Sequence, residues 1–129
     1  MNELKQEHRE RAALVGLNCG GFAEFDNSDE ETLEELRELL DTAGGDCIFT
    51  ALQKKSAPDA HTFIGEGKAQ EIAQLVQQND VELVVFDNEL SPSQSRALED
   101  VFKCRVMDRN GLILDIFAQH AHTREGILQ

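Results

Sequence analysis

The sequence predicts an open α/β fold, with a four-stranded parallel sheet flanked by helices in the order 2-1-3-4. Three observations predict it. Short apolar runs bounded by turn signals alternate with stretches of helical spacing. The run Val81-Glu-Leu-Val-Val-Phe86 is apolar enough to be buried on both faces, as parallel strands are. Each intervening helix is long enough for a right-handed crossover, so strands one and two pair first and the winding reverses at strand three.

Taken in order, Arg11 to Asn18 reads as a buried strand running into the loop Cys19-Gly-Gly-Phe22. Ser28-Asp-Glu-Glu31 has the S-x-x-E form, which makes Ser28 the expected cap of the first helix. Leu33, Leu36, Leu40 and Ala43 follow at helical spacing, and Gly44-Gly45 supplies the left-handed stop. A second strand covers Asp46 to Gln53. Lys54 to Pro58 is expected to turn, and Thr62-Phe-Ile64 to be a short extended piece. Gly65-Glu-Gly-Lys68 opens a helix carrying Ala69, Ile72, Ala73 and Val76 on one face. After the third strand, Leu90-Ser-Pro-Ser-Gln94 starts another helix, with Ser91 as cap, Pro92 at the first position and Gln94 completing the box. Arg105 to Met107 is a short fourth strand. From Gly111 onward Leu112, Ile113, Ile116 and Phe117 share a helical stripe. The expected division is a charged extension over residues 1–10, an α/β domain over 11–122, and over 123–129 the start of a connecting helical region that reads as interrupted.

Composition narrows the function. Of 129 residues 40% are hydrophobic and 29% charged, which suits a globular chain, and no apolar run approaches membrane-spanning length. The charged start lacks a secretory core, and three widely spaced cysteines, Cys19, Cys47 and Cys104, form no CxxC pair. Reduced thiols in a cytoplasmic setting are therefore expected. The net charge is −13, but it is uneven. Eight acids and one base lie between Glu24 and Glu38, as befits the solvated first turns of a helix, whereas Pro58 onward holds twelve acids and six bases. Contact with nucleic acid therefore requires a local basic patch.

Four groups of residues could carry chemistry. A glycine-flanked turn feeding a helix, Gly65, Gly67 and Lys68, can present free amides and a charge to an anion. It is not a P-loop, because Thr62 stands where that motif needs glycine, and Ala69 where it needs the magnesium-binding hydroxyl. The plainer reading is a tight turn. Asp87, Glu89 and Asp108 fall at the carboxyl ends of strands, where ligands gather in such sheets, but caps and turns use the same residues there. Asn18 to Phe22 lacks dinucleotide spacing, and Cys19 has no nearby histidine in sequence to activate it. His120 and His122, two apart, point to different helix faces and make a poor metal pair. No catalytic and no metal-binding residue is expected.

Asp87-Asn-Glu-Leu-Ser-Pro-Ser-Gln-Ser-Arg-Ala-Leu-Glu99 and Asp108-Arg-Asn-Gly-Leu-Ile-Leu-Asp-Ile-Phe-Ala118 resemble the signature segments of the amino-terminal domain of HflX-type GTPases. Phe63-Ile-Gly-Glu-Gly-Lys-Ala69 resembles the same family's Y-I-G-x-G-K-A element, with Phe63 for tyrosine. The tail from His120 to Gln129 is similar to its R-A-x-T-x-E-G-K-L-Q, with His120 and Ile127 where Arg and Lys are usual, and Asn110 replaces a usual Thr. The resemblance covers most of Leu14 to Gln129. It implies an α/β subdomain followed by a helical hairpin and a G domain, with GTP and magnesium bound in that later domain and no cofactor in this segment. It implies the large ribosomal subunit and its rRNA as partner, together with the G domain itself, in ribosome splitting or rescue. On charge, Lys54, Lys55, Lys68, Arg96, Arg105 and Arg109 are the expected rRNA or partner contacts, being expected to lie exposed. The two other readings are an ATP-binding domain and a structural lid that regulates the G domain. An apolar Leu112–Phe117 stripe without a helical neighbour would drive a homodimer.

Overall fold

Four parallel strands lie in the order β2-β1-β3-β4 in the computed structural model, which describes residues 9–20 and 27–128, with side chains to Gln119. The strands are β1 (Glu10–Asn18), β2 (Gly45–Lys54), β3 (Leu83–Phe86) and β4 (Arg105–Asp108). Between and after them run α1 (Glu30–Ala43), α2 (Glu66–Gln78), α3 (Pro92–Phe102) and α4 (Arg109–Leu128). The expected strand order is the observed one.

Side-chain alternation along β1 and β3 divides the core between the two faces of the sheet. Ala13, Val15 and Leu17 join Val84 and Phe86 under α2 and α3, where Ile72, Val76, Leu98 and Phe102 close the layer. Phe86 stands between the rings of Phe63, edge-on at 6.1 Å, and Phe102, stacked at 6.4 Å. On the other face Ala12, Leu14, Leu83 and Val85 meet Leu33, Leu36 and Leu40 of α1 and Leu112 of α4. β1 and β3 therefore read as unbroken apolar runs because both of their faces are covered. β2, at the edge, is only half-buried, and one residue is added to it: Ala12 pairs with Cys47 but Ala13 with Phe49. Ile48 bulges out of register, so it and Phe49 both pack on the α2 side.

Local chemistry sets the ends of the helices, with three departures from the sequence reading. Asp29, not Ser28, caps α1, accepting from Thr32 N at 2.8 Å while the Thr32 hydroxyl accepts from Asp29 N. Gly44 ends that helix at φ 97°, as its composition requires. Ser91 and Gln94 form the expected box at α3. α4 begins at Arg109 rather than Gly111, because the Asp108 carboxylate accepts the Gly111 amide at 2.9 Å and so supplies an N-cap. The Thr62–Ile64 segment is not extended. Asp59 and Phe63 exchange backbone hydrogen bonds of 2.9 and 3.0 Å around a tight turn, with Phe63 left-handed at φ 67°.

Candidate functional site

The carboxyl ends of all four strands meet at one edge, and the candidate residues there separate into an open basic part and a closed ionic part. In the open part, Lys54, Lys55 and Ser56 of β2 and its turn face Asn18, Cys19 and Gly20 across a cleft of about 500 Å³. The Lys55 amide is tied to Asn18 O at 3.2 Å, and Lys54 is exposed. The Lys55 ammonium lies 3.8 Å from where a Cβ on Gly65 would stand. Gly65 is the N-cap of α2, at φ 95°, and offers the helix no side-chain cap. The chain therefore brings Lys55, Gly65, Gly67 and Lys68 to one helix amino terminus, where amides and charge favour an anion. Lys68 is less free than its sequence suggests, with 24% of its side chain exposed and Glu71 at 3.8 Å.

Acidic groups surround this turn. Asp59 accepts from the amides of Thr62 at 2.7 Å and His61 at 2.9 Å, and these bonds hold its carboxyl below the usual carboxylate range. His61 Nδ1 lies 2.9 Å from Glu66, which raises the imidazole pKa. The residues do not fit a magnesium–nucleoside triphosphate of the P-loop kind. Ala69, next to Lys68, is fully buried and carries no hydroxyl for the metal.

The closed part is built on Asp87, whose side chain is 2% exposed. β3 ends at Phe86, and the next residue turns its carboxylate toward α1 and α4. One oxygen accepts from the hydroxyls of Ser28 at 2.7 Å and Thr32 at 2.6 Å. The other takes Nε and Nη2 of Arg109 at 3.0 and 2.5 Å, and Nη2 also donates to Thr32 O at 2.9 Å. Two guanidinium N–H groups thus converge on one carboxylate oxygen while two hydroxyls satisfy the other. Arg109, expected on charge alone to be exposed, is instead a connector at 27% side-chain exposure. Beside it Asn88, fully buried, continues β3 with its side chain, accepting from Leu17 N at 2.9 Å and donating to Leu17 O at 3.0 Å. Asp108 completes the edge by accepting the Leu90 amide at 3.0 Å.

The six bases singled out in the sequence do not converge. Lys54, Lys55 and Lys68 share the carboxyl edge. Arg96 is exposed on α3, and Arg105 starts β4 at the opposite edge, paired with Glu10 at 2.6 Å. Sequence reasoning missed Ser28 as a buried ligand of Asp87, as well as Thr32 and Asn88. The only signal was the polar sequence Asp87-Asn88 following an apolar strand. Among the described residues no group of His, Cys, Asp and Glu could hold a metal, and the side chains of His120 and His122 lie outside them. No helix among them is long and apolar enough to cross a membrane.

Similarity to known proteins agrees with this geometry. A family model described as GTP-binding GTPase N-terminal matches residues 30–118. The GTPase HflX of Escherichia coli is 48% identical over 103 residues, covering 80% of this chain and 24% of the relative. Those of Caldanaerobacter subterraneus and Flavobacterium psychrophilum are 40% identical over 129 residues and 45% over 123, covering 100% and 95% of the chain. The chain spans 28% and 29% of those two proteins. Among solved structures, one of SsGBP with GDP superposes with a TM-score of 0.65 at 21% identity, covering 86% of this chain and 29% of that one. A GTP-binding protein from Sulfolobus solfataricus with GDP gives 0.59 at 22% identity, over 84% and 30%. At such identity these two speak for the fold, while the family match and the curated relatives speak for descent: the chain belongs to the GTP-binding GTPase N-terminal family, as the amino-terminal portion of an HflX-type GTPase.

Proposed function

We propose that this chain is a docking domain, which holds the large ribosomal subunit through its basic edge and positions a GTPase domain for ribosome splitting or rescue in the cytoplasm. GTP and magnesium belong to that other domain, which the relatives' greater length accommodates. The observation that carries the reading is the segregation of charge. Glu30, Glu31, Glu34, Glu35, Glu38 and Asp41 lie on exposed positions of α1, while Lys54 and Lys55 stand at the carboxyl edge, Lys55 beside the uncapped start of α2. A handful of phosphate contacts at such an edge can outweigh an acidic face a Debye length away.

The test is co-sedimentation of the chain with purified large subunits across a salt series. Binding should weaken steeply with salt, and Lys54→Glu with Lys55→Glu should lower affinity by roughly tenfold or more at low salt and flatten the slope. Unchanged affinity and slope would reject the edge as the contact. The uncapped α2 terminus beside Lys55 also favours a second reading, a phosphate-bearing ligand such as ATP at Gly65–Lys68. It requires saturable ATP binding by this chain that Lys55→Ala weakens, and a flat titration would dismiss it.

A further inference from the structure

The four helices are held to the sheet very unequally. α1 buries Leu33, Leu36 and Leu40, α2 buries Ala69, Ile72, Ala73 and Val76, and α3 buries Ala97, Leu98 and Phe102. Over the described side chains of α4 only Leu112 is buried. Ile113 and Ile116 are half-covered, whereas Leu114 and Phe117 are 66% and 64% exposed. β3 and β4 are four residues long, so this 20-residue helix soon runs past the sheet that could support it. Leu112 with Ile113 and Ile116 makes a narrow stripe against α1 and the sheet, but Leu114 and Phe117 lie outside it, so packing defines its direction less firmly than that of α1, α2 and α3.

Its polar ties to the rest of the fold are at its first turn. Asp108 caps the helix, and Arg109, its first residue, reaches sideways to the Asp87 carboxylate on β3 and the Thr32 carbonyl in α1. The same carboxylate holds Ser28 and Thr32 on its other oxygen. One guanidinium thus ties α4 to two other elements, in a planar fork that fixes angle as well as distance.

We propose that the Asp87–Arg109 pair is an orientation lock: it sets the direction in which α4 leaves the sheet, and opening it frees α4 to swing as a unit while the sheet with α1, α2 and α3 stays folded. This holds whether or not the chain docks on the ribosome. It assigns Arg109 a positioning role in place of a contact role, and it places the control of α4 beside the end of β3, near the basic cleft.

Residual dipolar couplings of backbone amides in the whole chain test it, because they report the orientation of each helix relative to the others. In the unaltered chain one alignment tensor should fit α1, α2, α3 and the 109–119 part of α4. In Arg109→Met combined with Asp87→Asn, which strands no buried charge, the α4 couplings should shrink by about twofold or more while those of α1 to α3 keep one tensor. Arg109→Lys, which keeps the charge but loses the fork, should fall between. α4 couplings that still fit the common tensor in the double variant would overturn the lock. So would a double variant and an Arg109→Lys chain that both lose the dispersed amide spectrum of the sheet, because the pair would then be holding the fold rather than the helix. Shrinkage in α4 alone, graded through the lysine variant, supports it.

Discussion

Gly16 lies in the middle of β1, buried, on the face that α1 covers, and a side chain there should be among the costliest small changes the fold can suffer. A Cβ at this position would stand 2.0 Å from Ser28 Oγ and 2.5 Å from Ser28 Cβ. No real carbon tolerates either distance, so in Gly16→Ala the Ser28 segment must move. Overpacking of this size costs about 1–3 kcal/mol. Displacing Ser28 also removes its hydroxyl from the buried Asp87 carboxylate, worth about 1.5–3 kcal/mol for a hydrogen bond to a charged group. Replacing glycine within a strand returns about 0.5–1 kcal/mol. The net destabilisation is about 2–5 kcal/mol, a large part of the stability of a domain of this size. Urea unfolding followed by circular dichroism measures it, and a double-mutant cycle isolates the cause. Ser28→Gly alone should lose the hydroxyl and add glycine's backbone entropy, about 2–4 kcal/mol together, and adding Gly16→Ala on that background should cost less than about 0.5 kcal/mol, because the colliding atoms are gone. A Gly16→Ala chain as stable as the parent, or a full penalty persisting in the Ser28→Gly background, would refute the contact.

Asn88→Ala should cost about 2–5 kcal/mol in the same assay, since it leaves both Leu17 N–H and a buried stretch of strand without their side-chain partner. Asn88→Asp should be no better, because a carboxylate cannot donate to Leu17 O. Burial pushes the Cys104 thiol up to about 11 and raises that of Cys47, so at pH 8 both should react slowly with a disulfide reagent. Fast release on adding denaturant is expected, and rapid labelling of Cys47 and Cys104 in the folded chain would count against their half-buried setting. NMR titration should find the Asp59 carboxyl below its unfolded value and the His61 imidazole above. The stability linked to Asp59 is then present above its unfolded pKa and is lost as pH falls through the folded one. That linked to His61 is present below its unfolded pKa and is lost as pH rises through the folded one. Glu66→Gln should return His61 toward its ordinary value, and an unmoved titration would show that Glu66 is not the cause.

The sheet was legible because its central strands declare themselves. Leu14, Val15, Leu17 and the Val81–Phe86 run are apolar at every position that two covered faces require, and the crossover rules leave little freedom in ordering them. Helix faces followed from the spacing of Leu33, Leu36 and Leu40, or of Ile72 and Val76, for the same reason. What the sequence hid was long-range polar pairing. Ser28 and Asp29 both suit an N-cap locally, and the choice is made 59 residues away by Asp87, which draws the Ser28 hydroxyl inward and leaves Asp29 to cap. Arg109 read as a surface cation because nothing near it in sequence announces a buried carboxylate. The helix was placed from Gly111 by the stripe that begins at Leu112, yet the Gly111 amide is the one Asp108 holds, and a Cβ there would come 3.3 Å from Met107 Cβ. The basic cleft was half-legible. Lys54 and Lys55 are plain in the sequence, but the meeting of Lys55 with the α2 terminus follows a left-handed turn at Phe63, a residue type that rarely adopts it.

The bulge at Ile48 reaches beyond local register. β2 is the longest strand and lies at the sheet's edge, and from Cys47 to Gln53 it carries no charge. A regular strand of that composition would be a template for the strands of other chains, adding one molecule to the next. The extra residue breaks the regular spacing of the outward amides and bends the edge near its beginning, so an incoming strand finds no continuous row to match. The irregularity that costs β2 one register step with β1 thus also works against strand pairing at this edge of the sheet.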